Sequence, residues 1–345
     1  MKRKAIIGLT GDYKDSCGNF IVPGPGLSLL DGIPECSYSF FKEHLPVATA
    51  EQLRGIDIVF TTSPVFSNAS IDGNDRLISI HRNGSGYDMI DVEALTENNI
   101  ILLNTQAAVK RPVAVAAMTF ILALSTRLVD KIKITKEGRW NEVPDYIGYG
   151  LKDKILGIIG AGNIGREIIS LSKPFDMMHI VYDPMISADT LPGIDIVELD
   201  VLLKAADFIC VTCPLNSHTR NLIGRREFGL MKNSSYIINV ARGPIIDEKA
   251  LITALEETQI RGAGIDVFEV EPTPVDNPLL NLDNVITTPH SLGWTDESVI
   301  AIWAKMVAQA KQLISGQIPD GVVNPEVLSK DDFWMKYKKF LNPLY

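Results

Sequence analysis

The amino-acid sequence predicts an α/β protein built from two doubly wound parallel-sheet units. From Ile155 onward, short apolar runs alternate with amphipathic helical patterns, and the first hundred residues repeat that style more weakly. A length of 345 residues favours two domains over one, and 46% hydrophobic with 22% charged residues is the composition of an ordinary globular chain.

In the first unit the strand candidates are Ala5 to Leu9, Ile56 to Thr61, Leu77 to Ile80 and Ile100 to Leu103. An apolar helix from about Pro112 to Leu128 follows, and its most apolar part, Val113 to Leu124, falls short of the roughly 18 residues of a membrane span. It is expected to be a buried helix linking the two units. The second unit offers Ile155 to Ile159, His179 to Tyr182, Asp207 to Val211, Tyr236 to Val240, Gly262 to Val267 and Val285 to Thr287 as strands. Ile164 to Ser172 and Glu248 to Glu257 fit crossover helices, whose right-handed connections produce a doubly wound sheet. After Asp296, apolar residues at helical spacing (Val299, Ile302, Trp303, Met306, Val307, Ala310) predict an amphipathic helix returning the chain to the first unit. The tail from Gly316 carries Phe333, Trp334, Tyr337, Phe340 and Tyr345 as packing anchors and suggests no role of its own.

The 42 acidic against 33 basic residues give a formal charge of -9, which disfavours a nucleic-acid partner. The basic start is followed by an apolar run too short for a signal-peptide core, so a cytoplasmic protein without a membrane partner is expected. Cys210 and Cys213 have C-x-x-C spacing, but they lie in an apolar strand and no second Cys/His pair follows. Reduced thiols and no metal are the expectation.

Gly160-Ala161-Gly162-Asn163-Ile164-Gly165 directly follows the strand Ile155 to Ile159 and opens a helix. In that context the spacing signals a Rossmann-type dinucleotide site: the glycines allow a tight turn, approach of a pyrophosphate and close helix packing, and the helix N-terminus favours the negative charge. Asp183 closes the next strand, where a carboxylate accepts from ribose hydroxyls and repels a 2′-phosphate. NAD is therefore expected over NADP.

Three further residues suit the reduction of a 2-oxo acid, which needs a cation for the carboxylate, a proton donor at the developing alkoxide and a nicotinamide held at the carbonyl carbon. Arg242 follows a strand end and carries a planar fork suited to carboxylates. His290 follows Val285 to Thr287, and imidazole gives and takes protons near neutrality. Glu271 is placed to hydrogen-bond that imidazole, orient it and stabilise its protonated form. Ser85 and Gly86 offer backbone N–H groups to a small anion.

The order of these motifs resembles the D-isomer-specific 2-hydroxyacid dehydrogenases. The resemblance rests on Gly160 to Gly165, Pro214-Leu215 with Thr219 and Leu222-Ile223-Gly224, Met231-Lys232, Asn239-Val240-Ala241-Arg242-Gly243 with Asp247-Glu248, Gly262 to Glu269 with Glu271-Pro272, Thr288-Pro289-His290, and Gly84-Ser85-Gly86-Tyr87-Asp88 with Ile90-Asp91. It implies two Rossmann-like domains with cofactor and substrate in the cleft between them: a discontinuous substrate-binding domain, 1–104 plus 295–345, and an NAD-binding domain, 105–294, closing around connections near Thr105 and Gly293. It implies that Arg242, Glu271 and His290 are catalytic and that Ser85, Gly86, Arg242 and His290 hold substrate. It also implies that Gly160, Gly162, Asn163, Ile164, Asp183, Cys213, Pro214, Thr219, Val240, Ala241, Arg242, Asp266 and His290 meet the cofactor, with Asp266 on the carboxamide, and that the assembly is a homodimer. The implied substrate is a glyoxylate-, hydroxypyruvate- or 3-phosphoglycerate-like acid.

Where that family often carries Glu-His on the linking helix, this chain has Val115-Ala116, preceded by Lys110-Arg111-Pro112. The two cations are either solvated charges or holders of a distal anionic group, and Trp294 is a further departure near the substrate. A NAD(H)-sensing corepressor-like binding protein of the same fold is the alternative, disfavoured by the intact Arg242, Glu271 and His290. Formate dehydrogenase is disfavoured because its chemistry donates no proton.

Overall fold

Two all-parallel sheets organise the chain in a computed structural model that describes residues 3–22 and 24–342. Contacts divide it into two units, one running to Val109 and resuming at Thr295, the other spanning Lys110–Trp294.

The first unit carries β1 (Ala5–Leu9), β2 (Cys36–Phe40), β3 (Ile58–Thr61), β4 (Ser79–Arg82) and β5 (Ile101–Asn104), in the order β2-β1-β3-β4-β5. Its register sets Ile7 opposite Ile58, Ile58 opposite Ser79 and Ser79 opposite Ile101. A core of Leu53, Val59, Ile71, Ile80, Leu95 and Leu102 fills one side of the sheet. Strand β2 escapes a search for apolar runs because it is an edge strand, Cys-Ser-Tyr-Ser-Phe, with alternate residues turned outward. Strand β4 begins two residues later than the apolar pattern suggests and continues through His81 and Arg82, which are buried despite being polar.

Helix Gln106–Thr126 starts six residues before the expected position and contains Pro112. At 21 residues it is long and apolar enough to cross a membrane by length and composition, contrary to the short estimate from sequence, yet 56% of its most apolar window is buried in the fold. Ala114, Ala117, Phe120 and Ile121 make it a core helix of the second unit. Arg127 ends it in the left-handed conformation (φ 55°) before a second helix, Leu128–Lys136.

The second unit carries β6 (Ile155–Ile159), β7 (Met178–Tyr182), β8 (Asp195–Ile196), β9 (Phe208–Val211), β10 (Tyr236–Asn239), β11 (Gly262–Ile265) and β12 (Val285–Thr287). Their order, β12-β11-β10-β9-β6-β7-β8, reverses direction between β6 and β9, the crevice at which doubly wound sheets hold ligands. Strand β8 has two residues, too few for a periodic signal. Strands β6, β9, β10 and β11 are almost wholly buried, which explains their continuous apolar runs.

Helix Asp296–Ile314 covers the first sheet with Trp303, Met306 and Gln309, and the tail folds as helix Asp331–Leu341 with Phe333 and Tyr337 buried. Lys336 Nζ donates to the Asn74 and Asn98 carbonyls, and Tyr337 Oη donates to Leu313 O. The tail thus seals the small unit's core; Tyr345 lies outside the described residues.

His81 is fully buried with Nε2 against Ser79 Oγ (2.9 Å) and Nδ1 against Gln309 Oε1 (3.3 Å). Burial pushes its imidazole down to about 3, although the Gln309 bond acts in the opposite sense. The native state therefore refuses a proton that the unfolded chain accepts. The associated stability is intact above the unfolded value of 6.5 and is lost as pH falls from there toward 3. Wild type is expected to lose about 1.5 kcal/mol more between pH 6.5 and 5 than a His81→Leu variant, measured as the difference in urea unfolding free energy; parallel losses would refute the neutral buried imidazole.

Candidate active site

The carboxyl ends of β10, β11 and β12 bring Arg242, Glu271 and His290 into one neighbourhood. Glu271 Oε2 lies 2.7 Å from His290 Nδ1, and Glu271 Oε1 accepts from the Phe268 N–H at 2.9 Å. Because an ionised carboxylate only accepts, Nδ1 carries the proton and Nε2 is the ring nitrogen left outside this bond. Burial acts to raise the Glu271 carboxyl, but the His290 hydrogen bond and charge, the Phe268 N–H and the Arg242 charge outweigh it, holding it below the usual range.

His290 itself sits at φ 52°, a backbone region that side chains seldom occupy. Its N–H donates to Asp266 O at 2.7 Å and to Thr288 O at 3.0 Å. The Asp266 carboxylate braces the same turn, with Oδ1 accepting from Thr288 Oγ1 (2.6 Å), Ser291 N (3.0 Å) and Leu292 N (3.2 Å).

Arg242 is presented by a bracket centred on buried Asn239, whose Oδ1 accepts from Ala241 N and whose Nδ2 donates to Arg242 O. The guanidinium donates to Ala241 O at 2.8 Å. Gly243 must be glycine: a Cβ there would stand 1.9 Å from Phe268 C and O, so the Arg242 segment lies directly on the segment that leads to Glu271.

At the β6/β9 crevice, Gly160 takes φ +93°, and a Cβ on it would lie 2.6 Å from the backbone of Cys213. Gly165 packs under Gly160 O, while nothing lies within 4 Å of a Cβ built on Gly162. Gly162 precedes helix Asn163–Ser172, whose start has no side-chain cap. Open space at Gly162, beside a row of backbone N–H groups, fits a pyrophosphate. Asp183, past the end of β7, accepts from Ala161 N (Oδ2) and Met185 N (Oδ1), both at 2.9 Å, so it is tied to the glycine loop. These residues fit a dinucleotide.

The Thr219 hydroxyl donates to Pro214 O and accepts from Asn216 N, shaping its own loop. Lys110 and Arg111 share Glu167, at 2.8 and 2.7 Å, and their hydrogen bonds, with their charges, hold its carboxyl down. Both cations thus have an ion-pair partner within the chain. Trp294 is 61% exposed. Cys210 and Cys213 are buried free thiols; burial pushes Cys210 far up and Cys213 to about 12. Both are poor thiolates at neutral pH. In the other unit, the Gly84-Ser85-Gly86 loop follows β4, with Gly84 at φ +120°.

Three supports were not evident from sequence: Asn239, Thr288 and the Phe268 N–H. Asn239 and Thr288 stand inside the quoted motifs, so position pointed to them, but their bonds depend on turn geometry.

The family profile of the D-isomer specific 2-hydroxyacid dehydrogenase NAD binding domain matches residues 118–291. A D-3-phosphoglycerate dehydrogenase of Methanocaldococcus jannaschii is 40% identical over 297 residues, 85% of this chain but only 56% of the relative's own length. A glyoxylate/hydroxypyruvate reductase B of Salmonella typhi is 37% identical over 270 residues, covering 77% of this chain and 83% of that protein. Among solved structures, D-lactate dehydrogenase from Aquifex aeolicus, complexed with NAD and lactic acid, superposes with a TM-score of 0.80 at 26% identity, covering 92% of this chain and 99% of that one. With two parallel sheets, a nicotinamide-dinucleotide loop and an Arg, Glu and His set in the expected order, the chain belongs to the D-isomer-specific 2-hydroxyacid dehydrogenase family.

Proposed function

We propose that this chain is an NAD-dependent oxidoreductase that moves a hydride reversibly between nicotinamide and a small D-2-hydroxy or 2-oxo acid of the glyoxylate, hydroxypyruvate or 3-phosphoglycerate kind. The observation that carries the reading is the His290–Glu271 hydrogen bond of 2.7 Å, with the Arg242 charge acting on the same carboxylate.

When bound, the nicotinamide supplies or accepts the hydride at the carbonyl carbon. The chain's own groups do the rest. Gly160, Gly162, Asn163 and Ile164 hold the pyrophosphate, and Asp183 holds the ribose. Val240, Ala241, Cys213 and Pro214 line the dinucleotide path. Asp266 Oδ1 is occupied internally, so Oδ2 is the oxygen assigned to the carboxamide. Arg242 takes the substrate carboxylate and polarises the carbonyl, and in the other unit Ser85 and Gly86 are assigned the same carboxylate through their N–H groups. His290 Nε2 gives its proton to the nascent alkoxide in reduction and takes one from the hydroxyl in oxidation, while Glu271 stabilises the imidazolium.

The direct test mixes purified protein with NADH and a panel of 2-oxo acids, including phosphorylated and dicarboxylic ones, and follows nicotinamide absorbance. Turnover with at least one is expected; NADH binding without turnover on any would replace this reading with a NAD(H)-sensing binding protein. Glu271→Gln removes the carboxylate that holds His290 Nδ1, so kcat/KM for reduction should fall by about tenfold or more. An unchanged kcat/KM would refute the dyad. Asp183→Ser should raise kcat/KM with NADPH relative to NADH by about tenfold or more, and an unchanged ratio would remove Asp183 from cofactor selection.

A further inference from the structure

The geometry points to Asn104 and Thr105 as positioning residues that aim the two N–H groups of the Ser85–Gly86 loop, with Gln309 and His81 locking Asn104 from the core. This inference rests on the assignment of that loop to the substrate carboxylate.

A trans peptide is planar, with its C=O and the following N–H pointing in opposite directions. Whatever holds the carbonyl of a peptide unit therefore aims the N–H of the same unit. Asn104 Nδ2 donates to Ser85 O at 3.0 Å, and the N–H of that unit belongs to Gly86. Thr105 N donates to Gly84 O at 3.0 Å, with its hydroxyl 3.3 Å from the same oxygen, and the N–H of that unit belongs to Ser85. Thr105 Oγ1 also accepts from Gly84 N at 2.7 Å. Among the described residues neither the Ser85 nor the Gly86 N–H donates within the chain. Both carbonyls are thus drawn toward the end of β5, and both donors face the other way, a two-pronged arrangement suited to a carboxylate.

Asn104 is itself fixed. Its Oδ1 accepts from Gln106 N at 3.4 Å, and its backbone carbonyl accepts from Gln309 Nε2 at 3.0 Å. Since that carbonyl can only accept, Gln309 must present its amide nitrogen there and its oxygen to His81 Nδ1, 3.3 Å away. His81 then carries its proton on Nδ1 and accepts at Nε2 from Ser79 Oγ. Ser79, His81 and Gln309 are fully buried, so this chain of bonds runs from the core of the sheet to the loop with every atom's role determined.

The test uses Asn104→Asp, nearly equal in volume, which sets an acceptor against Ser85 O. A misaimed carboxylate donor weakens ground and transition states alike, so KM for the preferred 2-oxo acid should rise about tenfold with kcat and the NADH dissociation constant little changed. Gln309→Leu should shift the same KM in the same direction by less. Ser85→Pro deletes a donor outright and tests the loop assignment separately. If Ser85→Pro raises KM while Asn104→Asp lowers only the melting temperature, the positioning inference is overturned and the loop assignment stands. If Ser85→Pro, shown to be folded by circular dichroism, leaves KM unchanged, the loop assignment and the inference both fall.

Discussion

Among the described residues every paired strand runs parallel to its neighbours, and that constraint decides where chemistry can sit. Parallel strands need crossover connections that return along the sheet face, so successive strands deliver their following loops to one edge. In the second unit that edge receives the glycine loop after β6, Asp183 after β7, Cys213 after β9, Arg242 after β10, Glu271 after β11 and His290 after β12. Residues scattered over more than a hundred positions become neighbours without any one segment having to fold around them.

The edge is crowded, and the crowding explains why certain positions admit no side chain. Gly160 lies against Cys213 where the strand order reverses, and Gly243 lies against Phe268. Each contact draws two strand ends together at backbone distance, the first forming the floor of the dinucleotide crevice and the second bringing the Arg242 turn against the Glu271 segment. A methyl group at either position would separate the parts it joins, and the cost would appear as lost geometry at the site as much as lost stability.

Much of this was legible in the amino-acid sequence because buried parallel strands read as apolar runs and loops at their ends carry distinctive residues. Strands β6 and β12 and the neighbours of Gly160, Arg242 and His290 fall where pattern and motif place them. What escaped did so for physical reasons. Edge strand β2 alternates Ser37 and Ser39 with Cys36, Tyr38 and Phe40, and β4 continues through His81 and Arg82 because their polarity is accommodated in tertiary structure rather than in the local pattern. The helix Gln106–Thr126 was read as starting at Pro112, a residue usually found in a first turn, but here it lies inside a longer helix. Lys110 and Arg111 looked available for an anion because their partner, Glu167, is distant in sequence.

The Glu271–His290 pair shows why placement matters more than attraction at this site. Both side chains keep substantial contact with solvent, 37% and 42% exposed, so Coulomb attraction between them is screened and their hydrogen bond alone would contribute little to stability. The more demanding element is the backbone at His290, held at φ 52°. Its N–H binds Asp266 O, and Asp266 Oδ1 gathers Thr288, Ser291 and Leu292 around the same turn. Asp266, expected from the sequence to serve the cofactor, thus holds His290 in a conformation it would not adopt unaided. One carboxylate in that position ties the end of β11 to the turn after β12, so any change that displaces it displaces His290 as well.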